Sequence, residues 1–163
     1  MAFGAVAIGL LLAGLAGEAL AETIRELQIA DTFVAYDSDR FQMTPRGADS
    51  LEANCKNDRC WAPIGISGAR SACSDPLSEI PLDDRRARQS TSALFSNGLE
   101  FELTRRHNGC RNWVAPSLYA CVKVGANTVK FSQIVIGCGH GPISRPDMID
   151  FLNEIKLRPV EAK

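Results

Sequence analysis

The sequence is poor in the side chain that most often carries acid–base chemistry near neutral pH: its 163 residues include two histidines, His107 and His140. It has no surplus of either charge, with 18 Lys and Arg against 19 Asp and Glu. A dedicated nucleic-acid binder needs a net basic domain or a strong basic stripe to neutralise phosphate, so that class is disfavoured. Long apolar runs are missing after the first 21 residues, which excludes a polytopic membrane protein. No Walker, H-E-x-x-H or G-x-S-x-G string occurs, and Gly137 to Gly141 lacks the strand, glycine turn and helix of a dinucleotide site. There is no N-x-S/T sequon, no internal repeat and no low-complexity linker. One average globular domain remains.

What is present speaks first of compartment. Met1 to Ala21 is apolar through Leu15, is interrupted at Gly17 and Glu18, and ends on the small residues Ala19 and Ala21. This reads as a secretory signal cleaved after Ala21, leaving residues 22–163 as the mature domain. A retained anchor continuing into a stalk is the rival reading, but the run is shorter than the roughly 20 residues a spanning helix needs. Export places the six cysteines, Cys55, Cys60, Cys73, Cys110, Cys121 and Cys138, where disulfides form and persist. Three lie in each half of the chain, so if all six pair, at least one bridge joins the halves.

Local patterns give an expected order of elements. Thr23-Ile24-Arg25-Glu26 is a capping-box string, and Ile24, Leu27, Ala30 and Val34 recur at helical spacing, predicting a helix over 24–36. Residues 37–81, rich in Pro, Gly, Ser, Asn and Asp, read as a long irregular region stapled by disulfides, with one short apolar element at 61–66. Asp83 and Asp84 at the start and Asn97-Gly98 at the end frame a second helix over 82–96. From Leu99 the period becomes two. Leu99, Phe101 and Leu103 share one face, Leu118, Ala120, Val122 and Val124 alternate next, and 128–136 is the most β-prone run. A last helix over 145–157 follows from Ser144, Pro146 and Asp147 and the spacing of Met148, Phe151, Leu152 and Ile155. The expected fold is α+β: an antiparallel meander of 3–5 strands packed with two or three helices behind a long irregular N-terminal half.

Three constellations could carry chemistry. His107 and His140, with Arg106 or a neighbouring Arg, would suit acid–base cleavage of a phosphodiester if a turn at Gly125-Ala126-Asn127 brings both to one end of the sheet. The same stretches offer His107, Cys110, Cys138 and His140 as a zinc set, but the spacing fits no familiar finger and an oxidising compartment favours disulfides. No metal and no cofactor is therefore expected. Arg85, Arg86, Arg88, Arg105, Arg106 and Arg111 make 85–111 locally basic, a surface for an oxyanion or a partner, or simply a solvated face. Gln133 to Gly137 matches the Q-x-V-x-G pattern with which cystatins enter papain-like proteases. The family's preceding long helix and later tryptophan hairpin are missing, so the string reads as an interior strand ending in glycine.

The expectation is a secreted or periplasmic, disulfide-stabilised binding module: an inhibitor, an adhesin-like domain or an assembly subunit. Its partner would be another extracytoplasmic protein or an anionic ligand, with no nucleic acid and no stable membrane insertion after cleavage. A small secreted hydrolase using His107 and His140, and a membrane-tethered periplasmic subunit, are the alternatives. The sequence leans away from an enzyme without excluding one.

Overall fold

A computed structural model describes residues 23–56, 62–74, 88–107, 116–135 and 147–161. Strands hold 67% of these residues. They run in chain order as β1 (Ile24–Ile29), β2 (Thr32–Asp37), β3 (Phe41–Gly47), β4 (Ser50–Cys55), β5 (Ile64–Ala69), β6 (Arg88–Ser96), β7 (Leu99–His107), β8 (Ser117–Val124) and β9 (Asn127–Gln133), then helix α1 (Asp147–Glu154) and β10 (Lys156–Pro159). A three-stranded sheet has the order β1-β2-β10 and a seven-stranded one β3-β4-β5-β9-β8-β7-β6, with every pairing antiparallel. The protein is mostly β with a single short helix among the described residues. It is not an α+β domain with two or three helices.

Each departure has a local cause. Over 24–36, Ile24, Leu27, Ala30 and Val34 match a helix, but Thr32, Val34 and Tyr36 are buried at every second position, and the stretch is rich in β-branched and aromatic residues. Ala30 takes a φ of 46°, and Ile29 pairs with Thr32, so the chain reverses where a helix would have continued. Over 37–81, β3, β4 and β5 replace the expected irregular region. Pro45 is tolerated because β3 is an edge strand whose register shifts between Pro45 and Gly47. Within the expected second helix, 88–96 is β6. Asn97 and Gly98, with φ of 50° and 76°, form its two-residue hairpin turn into β7, as Asn-Gly pairs favour. The alternation from Leu99 onward does become strands β7, β8 and β9. The expected helix of 145–157 is shorter, ending at Glu154 and giving way to β10.

One core serves both sheets. Ile29, Val34 and Tyr36 from the smaller sheet join Phe41, Leu51, Ile64, Phe101, Leu118 and Phe131 from the larger. Met148, Phe151, Leu152 and Ile155, one face of α1 and the residue after it, are buried against them. The Phe151 ring meets Phe41 edge-on at 4.8 Å and Phe131 at 6.3 Å. Gly68 lets the sheets approach closely, since a Cβ there would lie 2.9 Å from the Ala30 Cβ.

An eight-residue helix is marginal on its own, and the sheet satisfies both of its ends. The Met148 N–H donates to Gln133 Oε1 at 3.4 Å, and Gln133 Nε2 donates to the Ala62 carbonyl at 2.9 Å. At the other end Ser96 Oγ donates to the Leu152 carbonyl, and Asn97 Nδ2 to the carbonyls of Asn153 and Ile155 at 3.1 and 2.8 Å. Asn97 thus does stop a helix, but the one that it caps lies 56 residues further along the chain.

Candidate functional site

The main core takes one face of the seven-stranded sheet; on the other, called the outer face here, Thr104, Arg106, Tyr119 and Cys121 are buried while Thr91, Ala93, Phe95, Glu100, Glu102 and Lys123 are exposed. Strand periodicity assigns Thr91, Ala93 and Phe95 of β6, Glu100, Glu102, Thr104 and Arg106 of β7, Tyr119, Cys121 and Lys123 of β8, and Lys130 and Ser132 of β9 to this outer face, as the registers Glu102↔Cys121 and Cys121↔Lys130 show. The segment after β5 is drawn across it. Cys73 is bonded to Cys121 with Cα atoms 5.8 Å apart, and Lys130 Nζ donates to Ser71 Oγ and Ser74 Oγ at 3.3 and 3.1 Å. Cys73, Cys121 and Tyr119 form a small apolar cluster of their own, separate from the main core.

Beside this bridge lies a concavity of about 630 Å³, bordered by Cys73, Thr91, Ala93, Glu100, Glu102 and Lys123. Two exposed carboxylates and one exposed ammonium converge there on a floor of small and hydroxyl side chains. Thr91 and Thr104 hydroxyls lie 3.3 Å apart across the β6–β7 pair. The arrangement offers hydrogen bonds and charges of both signs to an occupant. Among the described residues, no group of three or more His, Cys, Asp or Glu is placed to hold a metal ion.

The arginines divide. Arg88 pairs in register with His107, Gln89 with Arg106 and Ser90 with Arg105, so these three arginines and His107 gather at the open end of the β6–β7 hairpin. Arg106 is 3% exposed, whereas Arg88 is exposed and Arg105 half-buried. Arg85, Arg86 and Arg111 lie outside the described residues, as do His140, Cys60, Cys110, Cys138 and the expected leader 1–21. Of the histidine pair and the zinc set, only His107 is among the described residues. Cys55 is disulfide-bonded, and none of the described cysteines is free. Cys73–Cys121 is a bridge between the two halves of the chain, of the kind parity demands if all six cysteines pair.

Glu100, Glu102 and Lys123 were not singled out from sequence. Their signal was the polar half of the β7 alternation, in which Glu100 and Glu102 flank the buried Phe101, but alternation reports which face is wet and not what the wet face meets.

Compared with known proteins, the chain matches no family model, no curated protein and no solved structure. The disulfide is consistent with an extracellular location, and no helix among the described residues is long and apolar enough to cross a membrane.

Proposed function

We propose that the protein is an exported, disulfide-stabilised binding module that engages another extracytoplasmic protein on the outer face of its seven-stranded sheet. The observation that carries this reading is the pinned segment 71–74. A covalent bond and two Lys130 hydrogen bonds hold it over a sheet face that needs no such cover for the main core, and it walls one side of the concavity. A rigid scaffold presenting a fixed, mixed-charge depression is a common basis for recognition. Glu100, Glu102 and Lys123 would make the polar contacts, and Phe95, 73% exposed, would supply apolar area at the rim.

Amine-directed cross-linking in the native extracytoplasmic fraction tests this reading. Lys123 and Lys130 report on the outer face of the larger sheet, and Lys156 on the opposite side of the molecule, in the three-stranded sheet. Partner peptides joined to Lys123 or Lys130, and lost in a Glu100→Lys, Glu102→Lys variant, are the expected result. Partner peptides joined to Lys156 alone, or capture unchanged by the double variant, would overturn it.

A further inference from the structure

Segment 71–74 hangs on the outer face by one strong attachment. Ser71, Ala72 and Ser74 are exposed and Cys73 is half-buried, so the segment hides little apolar surface, and it belongs to no strand. Lys130 Nζ reaches the hydroxyls of Ser71 and Ser74 in hydrogen bonds open to water, which contribute little net. Arg70, just before the segment, adds an exposed pair with Asp31 at 3.2 Å. The covalent bond from Cys73 to Cys121 is what remains. It lies apart from the main core, in a cluster with Tyr119. β8 keeps its ladders to β7 and β9, and its core side chains Leu118, Ala120, Val122 and Val124, without it.

We infer that Cys73–Cys121 is a redox latch on the concavity: a donor of the dithiol class opens it, segment 71–74 leaves the sheet, and the depression loses one wall while the fold stands. The regulatory consequence rests on the binding reading above, whereas the opening itself is a property of the single chain. Bridges whose sulfur a donor can approach are the ones open to exchange. With so little else holding the segment, opening is close to all-or-none.

Access sets the order of the chemistry. Both cysteines border the concavity, but Cys121 is 1% exposed and Cys73 half-buried, so a donor thiolate meets the Cys73 sulfur. A bond forms from the donor sulfur to Cys73, the Cys73–Cys121 bond breaks, and its electron pair leaves on the Cys121 sulfur, which then takes a proton. The donor's second thiolate attacks its own sulfur in the mixed disulfide and displaces Cys73, which is protonated in turn. Two electrons have passed. The donor ends as a disulfide, and the latch ends as two thiols carrying the donor's two protons. The reverse steps close it.

The test uses the oxidised full chain, with reduced and oxidised dithiothreitol in stepped ratios as the donor. Free thiols are alkylated and Cys73 and Cys121 are read separately by peptide mass mapping, alongside circular dichroism and trypsin cleavage after Arg70. Both cysteines should be alkylated together at milder steps than any that alter the circular dichroism. Over those steps cleavage of the Arg70–Ser71 bond should rise roughly tenfold or more, because proteolysis follows local opening. Cys73→Ser, Cys121→Ser should be cut at the fast rate with no donor present; if that variant fails to fold, stepped reduction of the wild type decides alone. Glutathione, a monothiol that cannot complete the second step, should be found on Cys73. A bridge that yields only as the fold is lost, cleavage equal in the open and closed forms, or glutathione on Cys121 would overturn the latch. Partner cross-links to Lys123 and Lys130 that persist after opening would remove its regulatory role and leave the binding face standing. Cross-links absent from the oxidised protein would remove the binding reading and the regulatory role together, with the opening still measured on the chain alone.

Discussion

β3 and β6 are the two outermost strands of one sheet, and they are held in different ways. β3 is fastened to the core by Phe41, 3% exposed, whose ring meets Phe151 of α1. Its outward side is closed by Pro45, the bulge and the Arg46–Glu52 pair. β6 gives the core only the half-buried Leu94, is held to β7 by an unbroken ladder, and ends on Ser96 beside Asn97, which caps the distant helix. A strand anchored from within can have a disrupted outer edge at no loss to the fold. A strand held mainly by backbone pairing keeps a regular ladder, and regularity is also what makes an edge receptive to another strand.

The contrast can be broken most decisively at the anchors. Phe41→Ala removes a buried aromatic and should cost about 3–5 kcal/mol, whereas Leu94→Ala, at a half-buried site, should cost less than about 2 kcal/mol. Urea unfolding of the two variants measures both, and equal losses would show that β6 is as firmly rooted as β3. A smaller effect is expected at the turn. Gly98→Ala meets nothing within 4 Å, so its cost is the left-handed backbone alone, about 1–2 kcal/mol. It should leave the urea m-value unchanged, and a larger loss with a changed m-value would mean that the hairpin contributes more than local geometry.

The smallest effect concerns the guarded edge. Hydrogen bonds from Arg46, and then from Asn54, hold the Glu52 carboxyl below the usual carboxylate range. Because its folded-state pKa is lowered, the associated stability is present above the ordinary range and fades as pH falls through the lowered value. The pair is exposed, so the step is small. Thermal unfolding across an acid titration should place wild type slightly above Glu52→Gln at neutral pH and bring the two together in acid. A step that survives the substitution would detach the response from this edge.

The central meander and the last helix were legible, the fold class was not, and each misread element has a local cause. β7, β8 and β9 lie towards the centre of the sheet, and the larger apolar side chains that they turn to the main core recur at every second position, which announces them as strands. β3 and β4 also alternate, through Phe41 and Met43 and through Leu51 and Ala53, but Pro45 and the surrounding Gly, Asn and Asp read as loop. Those residues are permitted because an edge needs one set of backbone partners instead of two. In 24–36 the helical and strand periods both fit, and only the reversal at Ala30 decides between them. Of the candidate site, cysteine parity called for a bridge between the halves if all six cysteines pair, and Cys73–Cys121 is such a bridge. The concavity was not legible, because it depends on which loop crosses which face, a matter of long-range pairing that local spacing does not encode.

The capping of α1 from across the molecule bears on the order in which the protein can assemble. The groups that satisfy its last carbonyls come from a hairpin made long before it, and the strand that follows completes a sheet begun at Ile24. An eight-residue helix lacking those partners has little structure of its own, so the β6–β7 hairpin must form first and act as the template. The β1–β2 hairpin is local, but its pairing with β10 closes a loop of almost the whole sequence. Such closure is entropically late and slow, so the docking of β10 on β2 should be the last pairing to set and the first to come apart.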